Sequence, residues 1–208
     1  MLSCNGVPLV RRAVLLARET GIFDHTVVSS ESKEVADIAG VVVWHIRPDS
    51  LALPKSSVWD ALKHYMDTAT RTDYICLLHP TSPCLRPDTV KDAFETMIDV
   101  EGEFDALVSV NWSSPYSWAS GEYPPKFYTA NGTQFSIPRF QLNNAIYIAK
   151  WDRLYEVKNG YELKWLPYMI EQDEAIDIDD IKDFEMAEAI LQWRQRNEEV
   201  TQPAPKNL

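Results

Sequence analysis

Towards the C-terminal end, Asp177 and Asp179 alternate with Ile176 and Ile178. On extended backbone, successive side chains point to opposite sides, so the two carboxylates share a face. Carboxylates that close repel each other unless a cation sits between them. Hard oxygen donors favour Mg2+ (or Mn2+), which commonly takes one or two carboxylates together with substrate phosphate oxygens. The same stretch continues into Asp180 and Asp183. It therefore reads equally well as the acid-rich start of a helix, which the helix dipole favours.

Two further stretches carry groups suited to an anionic ligand. Leu77-Leu78-His79-Pro80-Thr81-Ser82-Pro83 follows an apolar strand-like run. The prolines fix the backbone there, and the imidazole and the hydroxyls of Thr81 and Ser82 can face a substrate. The plainer reading is a rigid turn into the next helix, and taken alone it has the advantage. Arg47-Pro48 lies beyond a second strand-like run, with Ser56-Ser57 nine to ten residues on. A guanidinium at a strand end can hold a phosphate or a base carbonyl. Singly, Arg47 reads as a surface arginine and Ser57 as a helix N-cap. His25 and His64 read as surface groups and His45 as a strand-end residue. No Ser/His/Asp order suggests a hydrolase, and no thiol pairs with an imidazole.

The elements that must position these groups follow from periodicity. Pro8–Thr20 carries Val10, Ala13, Val14 and Ala17 on one helical face, and Gly21 stops it. Ser32–Ala39, Ser57–Ala69, Pro87–Val100, Lys150–Val157 and Asp180–Gln195 read as further helices. Thr26–Ser29, Val41–Trp44, Tyr74–Leu78, Ala106–Val110 and Ala145–Ile148 read as strands, and Leu163–Ile170 as extended. Alternation with short loops predicts βαβ units, a mainly parallel sheet and helices on both faces. Ligands in such sheets sit at the carboxyl ends of the strands. Asn111–Phe140 breaks the rhythm with prolines, tyrosines and tryptophans, and reads as an inserted β-arm whose aromatics offer an interface.

Composition bounds the function. With 31 acidic and 20 basic residues among 208, the net charge is −11. That opposes a general nucleic-acid or membrane-surface binder, which needs a positive field. No apolar run approaches the roughly 18 residues of a membrane helix. Cys4, Cys76 and Cys84 form neither a disulfide framework nor a zinc spacing, and Cys76 lies in an apolar run that reads as core. With no signal-like start, a cytoplasmic setting is expected.

Taken in order, the pieces resemble the cytidylyltransferases that make CMP-activated acidic sugars, the CMP-sialic acid (acylneuraminate) synthetases and their relatives. The matching residues are Gly6-Val7-Pro8-Leu9, Val28-Ser29-Ser30-Glu31, Arg47-Pro48 with Leu51-Ala52, and Leu78 to Pro83. They continue with Asp105 to Val110, Asn143 to Ile148, and Asp177 to Phe184 with Ala187-Glu188. The resemblance implies a Rossmann-like three-layer α/β/α sandwich over residues 1–208, with residues 111–140 as an arm used in homodimerisation. It implies CMP transfer from CTP to the anomeric hydroxyl of an acidic sugar, with release of pyrophosphate. Asp177 and Asp179 would hold Mg2+, Arg47 with Ser56 and Ser57 the nucleotide, and His79, Thr81, Ser82, Asn143 and Tyr147 the sugar acid.

The departures are Glu31 for the usual aspartate, His79 for glutamine and Asn144 for glycine. Only five residues precede Gly6, so the family's opening strand and its phosphate-gripping loop have no counterpart. Either the sheet closes differently, with bare ladder groups on the neighbouring strands, or the start omits upstream sequence. The alternative is a degenerate, non-catalytic member that binds a nucleotide or a partner protein.

Overall fold

The computed structural model describes residues 2–40, 43–100, 102–113 and 139–201. The chain opens with a tight hairpin, β1 (Ser3–Cys4) and β2 (Val7–Pro8). Its turn is Asn5-Gly6, both at positive φ (47° and 73°). These are the conformations a two-residue hairpin turn demands and that Asn and Gly tolerate best. Helix α1 (Leu9–Thr20) follows and ends on Gly21 in the left-handed conformation. Strand β3 (Val27–Ser30), helix α2 (Lys33–Ala39), strand β4 (Val43–Ile46) and helix α3 (Val58–Met66) complete the first half. β4 runs to Ile46, two residues beyond the end read from the sequence, so Arg47 follows it directly.

The second half contains β5 (Tyr74–Leu78), α4 (Pro87–Asp99), β6 (Ala106–Ser113), β7 (Arg139–Lys150), α5 (Trp151–Glu156), β8 (Trp165–Met169) and α6 (Ile181–Thr201). Pro87 occupies the first turn of α4, where its missing N–H costs nothing.

The main sheet has the order β5-β7-β6-β8. It is mixed rather than mainly parallel. β7 runs antiparallel to both β5 and β6, while β6 and β8 are parallel. β3 and β4 form a parallel pair of their own. No described strand pairs with the second edge of β3 or of β5. α1 spans both units. Val10 and Val14 pack on Val28 and Ala39, whereas Leu16 reaches the core of the main sheet.

Alternation along the strands sorts residues to the two faces. Cys76, Leu78, Leu107, Ile146 and Ile148 pack with Val90, Ala93 and Met97 of α4. On the other side Ile75, Ala106, Tyr147 and Ala149 pack with Trp59 and Met66 of α3 and with Trp151 and Leu154 of α5. Helices on both faces make the three layers. A third cluster seats α6 on the N-terminal hairpin through Cys4, Leu9, Cys84 and Ala187. Most of the expected arm, residues 114–138, lies outside the described residues. Its roots are the paired ends of β6 and β7, where Trp112 and Phe140 are exposed with ring centroids 5.5 Å apart.

Candidate active site

The site grows from an irregularity in β7. Val108 pairs with Tyr147 and Val110 with Leu142, so Ser109 alone faces residues 143–146. The extra residues form a large bulge, the kind of feature that re-aims side chains beside active sites. Its freed backbone groups are met internally. Ile146 N donates to Ser109 Oγ (2.9 Å), Ala145 N donates to Asn143 Oδ1 (3.2 Å), and Ser109 Oγ donates to that same oxygen. Asn144 sits at φ 57°, tolerable because Asn visits the left-handed region more readily than most residues.

That conformation turns Asn144 outward. Its Nδ2 donates to Asp177 Oδ2 (3.0 Å), and its Oδ1 accepts from the Tyr147 hydroxyl (2.6 Å). His79, at the end of β5, stacks edge-on to Tyr147 at 6.0 Å between centroids. Burial pushes the His79 imidazole below its usual range, with the Asp177 charge pulling the other way. Burial likewise raises the Tyr147 phenol. The cluster of Asp177, Asn144, Tyr147 and His79 therefore lies at the carboxyl end of β5, where such sheets place ligands.

Two anchors hold the segment that carries Asp177. Upstream, Glu174 is 1% exposed. It accepts from Arg86 N (2.9 Å), Thr89 Oγ1 (2.9 Å) and Arg86 Nη1 (3.1 Å) at the start of α4. Downstream, Ile178 N donates to Thr81 O (2.9 Å), tying the acidic segment to the loop after His79. Ile176 and Ile178 pack beside Ala187, so Asp177 and Asp179 alternate with two inward residues.

The competing reading of the acids, a helix N-terminus, belongs to their neighbours. Asp180 Oδ1 accepts from Asp183 N (3.1 Å), and Asp183 Oδ2 accepts from Asp180 N (3.0 Å). This is a capping box with aspartate at both positions. Asp177 and Asp179 donate no side-chain oxygen to it. Among the described residues no three His, Cys, Asp or Glu side chains gather as a metal-binding group. Two carboxylates nonetheless match an ion that takes its remaining ligands from water and substrate phosphates.

The other expected residues divide. Ser57 Oγ accepts from Trp59 N (3.2 Å), so Ser57 caps α3, and its hydroxyl proton remains available. Ser56 Oγ bridges Leu53 N and Ser50 O (3.1 and 3.0 Å) and closes its own loop. Arg47 pairs with Glu31 through Nη2 (2.7 Å). It is hydrogen-bonded to none of Asp177, Asn144, Tyr147 or His79. The link between them is indirect, from β4 through α3 to the Trp59 ring, 5.7 Å from Tyr147. Asn143 is buried in the bulge rather than presented from it.

Among the described residues four buried side-chain polar atoms have no partner: Arg12 Nε, Arg47 Nε, Ser82 Oγ and Asn143 Nδ2. Three of the four belong to residues singled out from the sequence. Buried polar atoms are almost always satisfied, so each of these four calls for a partner such as a water or a ligand. The sequence reading missed Asn144 as a contact, and it missed the aromatic wall behind Tyr147. Trp59, Trp165 and Tyr161 stand within about 6 Å of one another or of Tyr147, and Tyr161 is 80% exposed. The Asn-Asn pair followed by an apolar alternation was the available signal for the first. His64, read as a surface group, is half-buried and bonded to His45, because α3 turns that face onto β4.

Fold and cluster together define an α/β protein with a paired-carboxylate segment set against the carboxyl end of a central-sheet strand. Residues 1–114 match the Cytidylyltransferase family model, and the chain belongs to that family. It is 30% identical over 205 residues to the CMP-N,N'-diacetyllegionaminic acid synthase of Legionella pneumophila, covering 91% of this chain and 88% of that protein. It is 27% identical over 198 residues to the N-acylneuraminate cytidylyltransferase of Escherichia coli, covering 91% of this chain but only 47% of that protein. Among solved structures, CMP:2-keto-3-deoxy-manno-octonic acid synthetase complexed with CTP superposes with a TM-score of 0.67 at 13% identity, covering 93% of this chain and 91% of that one. 4-diphosphocytidyl-2C-methyl-D-erythritol synthase from Anaerococcus prevotii gives 0.62 at 11% identity, over 92% of each chain. The last two likenesses show the fold. No described helix is long and apolar enough to cross a membrane.

Proposed function

We propose that this chain is a nucleotidyltransferase that moves CMP from CTP to the anomeric hydroxyl of an acidic sugar, a sialic acid-like nonulosonic acid or a Kdo-like acid, and releases pyrophosphate. The observation that carries the reading is the Asp177–Asn144–Tyr147 chain of hydrogen bonds beside His79. It holds one carboxylate of the acidic pair against Asn144, Tyr147 and His79 rather than in the helix cap. Family membership supplies the reaction class.

In this reading Asp177 and Asp179 hold Mg2+ (or Mn2+), which would neutralise charge on the transferring phosphoryl group. Arg47, with its unpartnered Nε, and Ser57 hold the nucleotide, with Ser56 shaping the loop between them. His79, Thr81, Ser82 and Tyr147 form the sugar-acid side, and Asn143, expected there from the resemblance, supports it from inside the bulge. Asn144 holds the Asp177 carboxylate in place, and Trp59 and Trp165 back the Tyr147 ring. The sugar hydroxyl attacks the α-phosphorus, and pyrophosphate leaves in line. A cytoplasmic homodimer fits the exposed Trp112, Phe140 and Leu142 at the base of the arm, and nucleic acid has no place as a partner for so acidic a chain.

The test incubates the protein with CTP, Mg2+ and, in turn, sialic acid, related nonulosonic acids and a Kdo-type acid, and follows pyrophosphate. Release with one of them is expected. No release with any of them, under conditions where CTP binds, overturns the proposal.

A further inference from the structure

His45 and His64 meet where β4 packs on α3. His45 Nε2 lies 2.8 Å from His64 Nδ1, and His45 Nδ1 lies 2.9 Å from the Ser29 hydroxyl on β3. His45 is 8% exposed, and the Tyr65 ring closes over it edge-on at 5.4 Å between centroids. This is the polar joint between α3 and the separate β3–β4 pair. A contact between two imidazole nitrogens holds one proton. Whichever ring donates, the other must offer a lone pair. When both rings are protonated, both nitrogens are donors and both rings are cations, so the bond is replaced by repulsion.

We propose that His45 and His64 form a pH-sensitive latch that seats α3 on the β3–β4 pair and releases it in mild acid. The groups facing the joint favour release. From the β4 side Arg47 adds a positive charge, itself paired with Glu31 at 2.7 Å. From α3 come His64 and the Tyr65 ring, and from β3 the neutral Ser29 hydroxyl. Burial, then the charges of His64 and Arg47, hold the His45 imidazole below the ordinary histidine range. The folded protein therefore resists a proton that the unfolded chain accepts. The stabilisation is full above the unfolded histidine range of about 6.5 and is lost as pH falls through the lowered folded value.

Release has a consequence for the site. The N-terminal turn of α3 carries the Ser57 cap and Trp59, whose ring stands 5.7 Å from Tyr147. Loosening α3 loosens that wall. This consequence rests on the function proposed above, whereas the latch itself does not.

Hydrogen exchange of the whole chain, read by mass spectrometry and corrected for intrinsic rates, tests the latch. Protection of α3 is compared with that of α4 at neutral and mildly acidic pH. The wild-type ratio should fall by about tenfold, the scale of one lost buried hydrogen bond. His64→Asn places an oxygen acceptor near the position of Nδ1 that does not protonate in this range. Its ratio should fall clearly less than that of the wild type, because His45 stays buried but no second cation forms beside it. A flat wild-type ratio, or an equal fall in the variant, overturns the proposal. Should His64→Asn fail to fold, proton NMR titration of the wild-type imidazoles decides. Two coupled steps, one displaced to acid, support the latch. Independent single steps for both rings near 6.5 refute it.

Discussion

Asn144 offers the sharpest test of how the bulge makes the site, because its backbone and its side chain make separable predictions. At φ 57° a residue with a Cβ is strained, by roughly 1–2 kcal/mol for most side chains, while glycine is not. The side chain gives a hydrogen bond to the Asp177 carboxylate at 3.0 Å and takes one from Tyr147 at 2.6 Å. Asn144→Gly relieves the backbone and deletes both bonds. Asn144→Ala deletes both bonds and keeps the strain. Groups that orient a metal-holding carboxylate typically matter by 10–100-fold. Both variants should therefore lose about 10–100-fold in kcat/KM for pyrophosphate release, equivalent to about 1.4–2.7 kcal/mol. Their stabilities should differ: the glycine variant should withstand urea better than the alanine variant by about 1 kcal/mol. Asn144 itself is exposed, so neither change opens a core cavity. Wild-type activity in both variants would show that Asn144 does not position Asp177. Equal stability of the two variants would refute the backbone argument.

Other consequences are simpler to read. Asp177→Asn with Asp179→Asn should lower kcat by about 1,000-fold or more, since ion-based charge stabilisation is worth several kcal/mol, with an unchanged far-ultraviolet circular dichroism spectrum. Removing divalent cations with a chelator should abolish pyrophosphate release, and adding Mg2+ back should restore it; activity that survives chelation would exclude the ion's role. Arg47→Ala should raise KM for CTP by about 10–100-fold, the worth of a hydrogen bond to a charged group. Glu174→Ala should cost about 2 kcal/mol in chemical denaturation, less than a fully buried pair because Arg86 is 43% exposed in its side chain.

Most helices and strands were legible from period and punctuation. Gly21 ends α1 in the left-handed conformation where the sequence placed the stop, and Gly40 ends α2 in the same way, because few other residues occupy that conformation without cost. Tyr74–Leu78 reads as a strand and is one, since five consecutive apolar residues bounded by polar ones suit a sheet covered on both faces. Strand direction was less visible. The period of β7 is the same whether it runs parallel or antiparallel, and only the connection decides. The N-terminal hairpin was missed although Asn5-Gly6 announces its turn, because strands of two residues carry no period to detect.

The site divides along the same line. Asp177 and His79 were found from local residue type and Tyr147 from the family resemblance, and the fold brings them together. Asn143 and Asn144 look interchangeable in sequence, yet one is buried in the bulge and the other turned out of it. That distinction comes from the registers on either side. Val108 opposite Tyr147 and Val110 opposite Leu142 leave the intervening residues of β7 with nowhere to go but outward from the ladder. Ser109 is the one residue of β6 facing them, and its hydroxyl meets the amide N–H of Ile146 that the bulge would otherwise strand. The small hydroxyl on β6 thus sets which asparagine reaches Asp177. A Ser109→Ala change, close in volume but unable to accept that bond, should disturb the Asn144 contact and lower kcat/KM for pyrophosphate release without altering His79, Asn144, Tyr147 or Asp177.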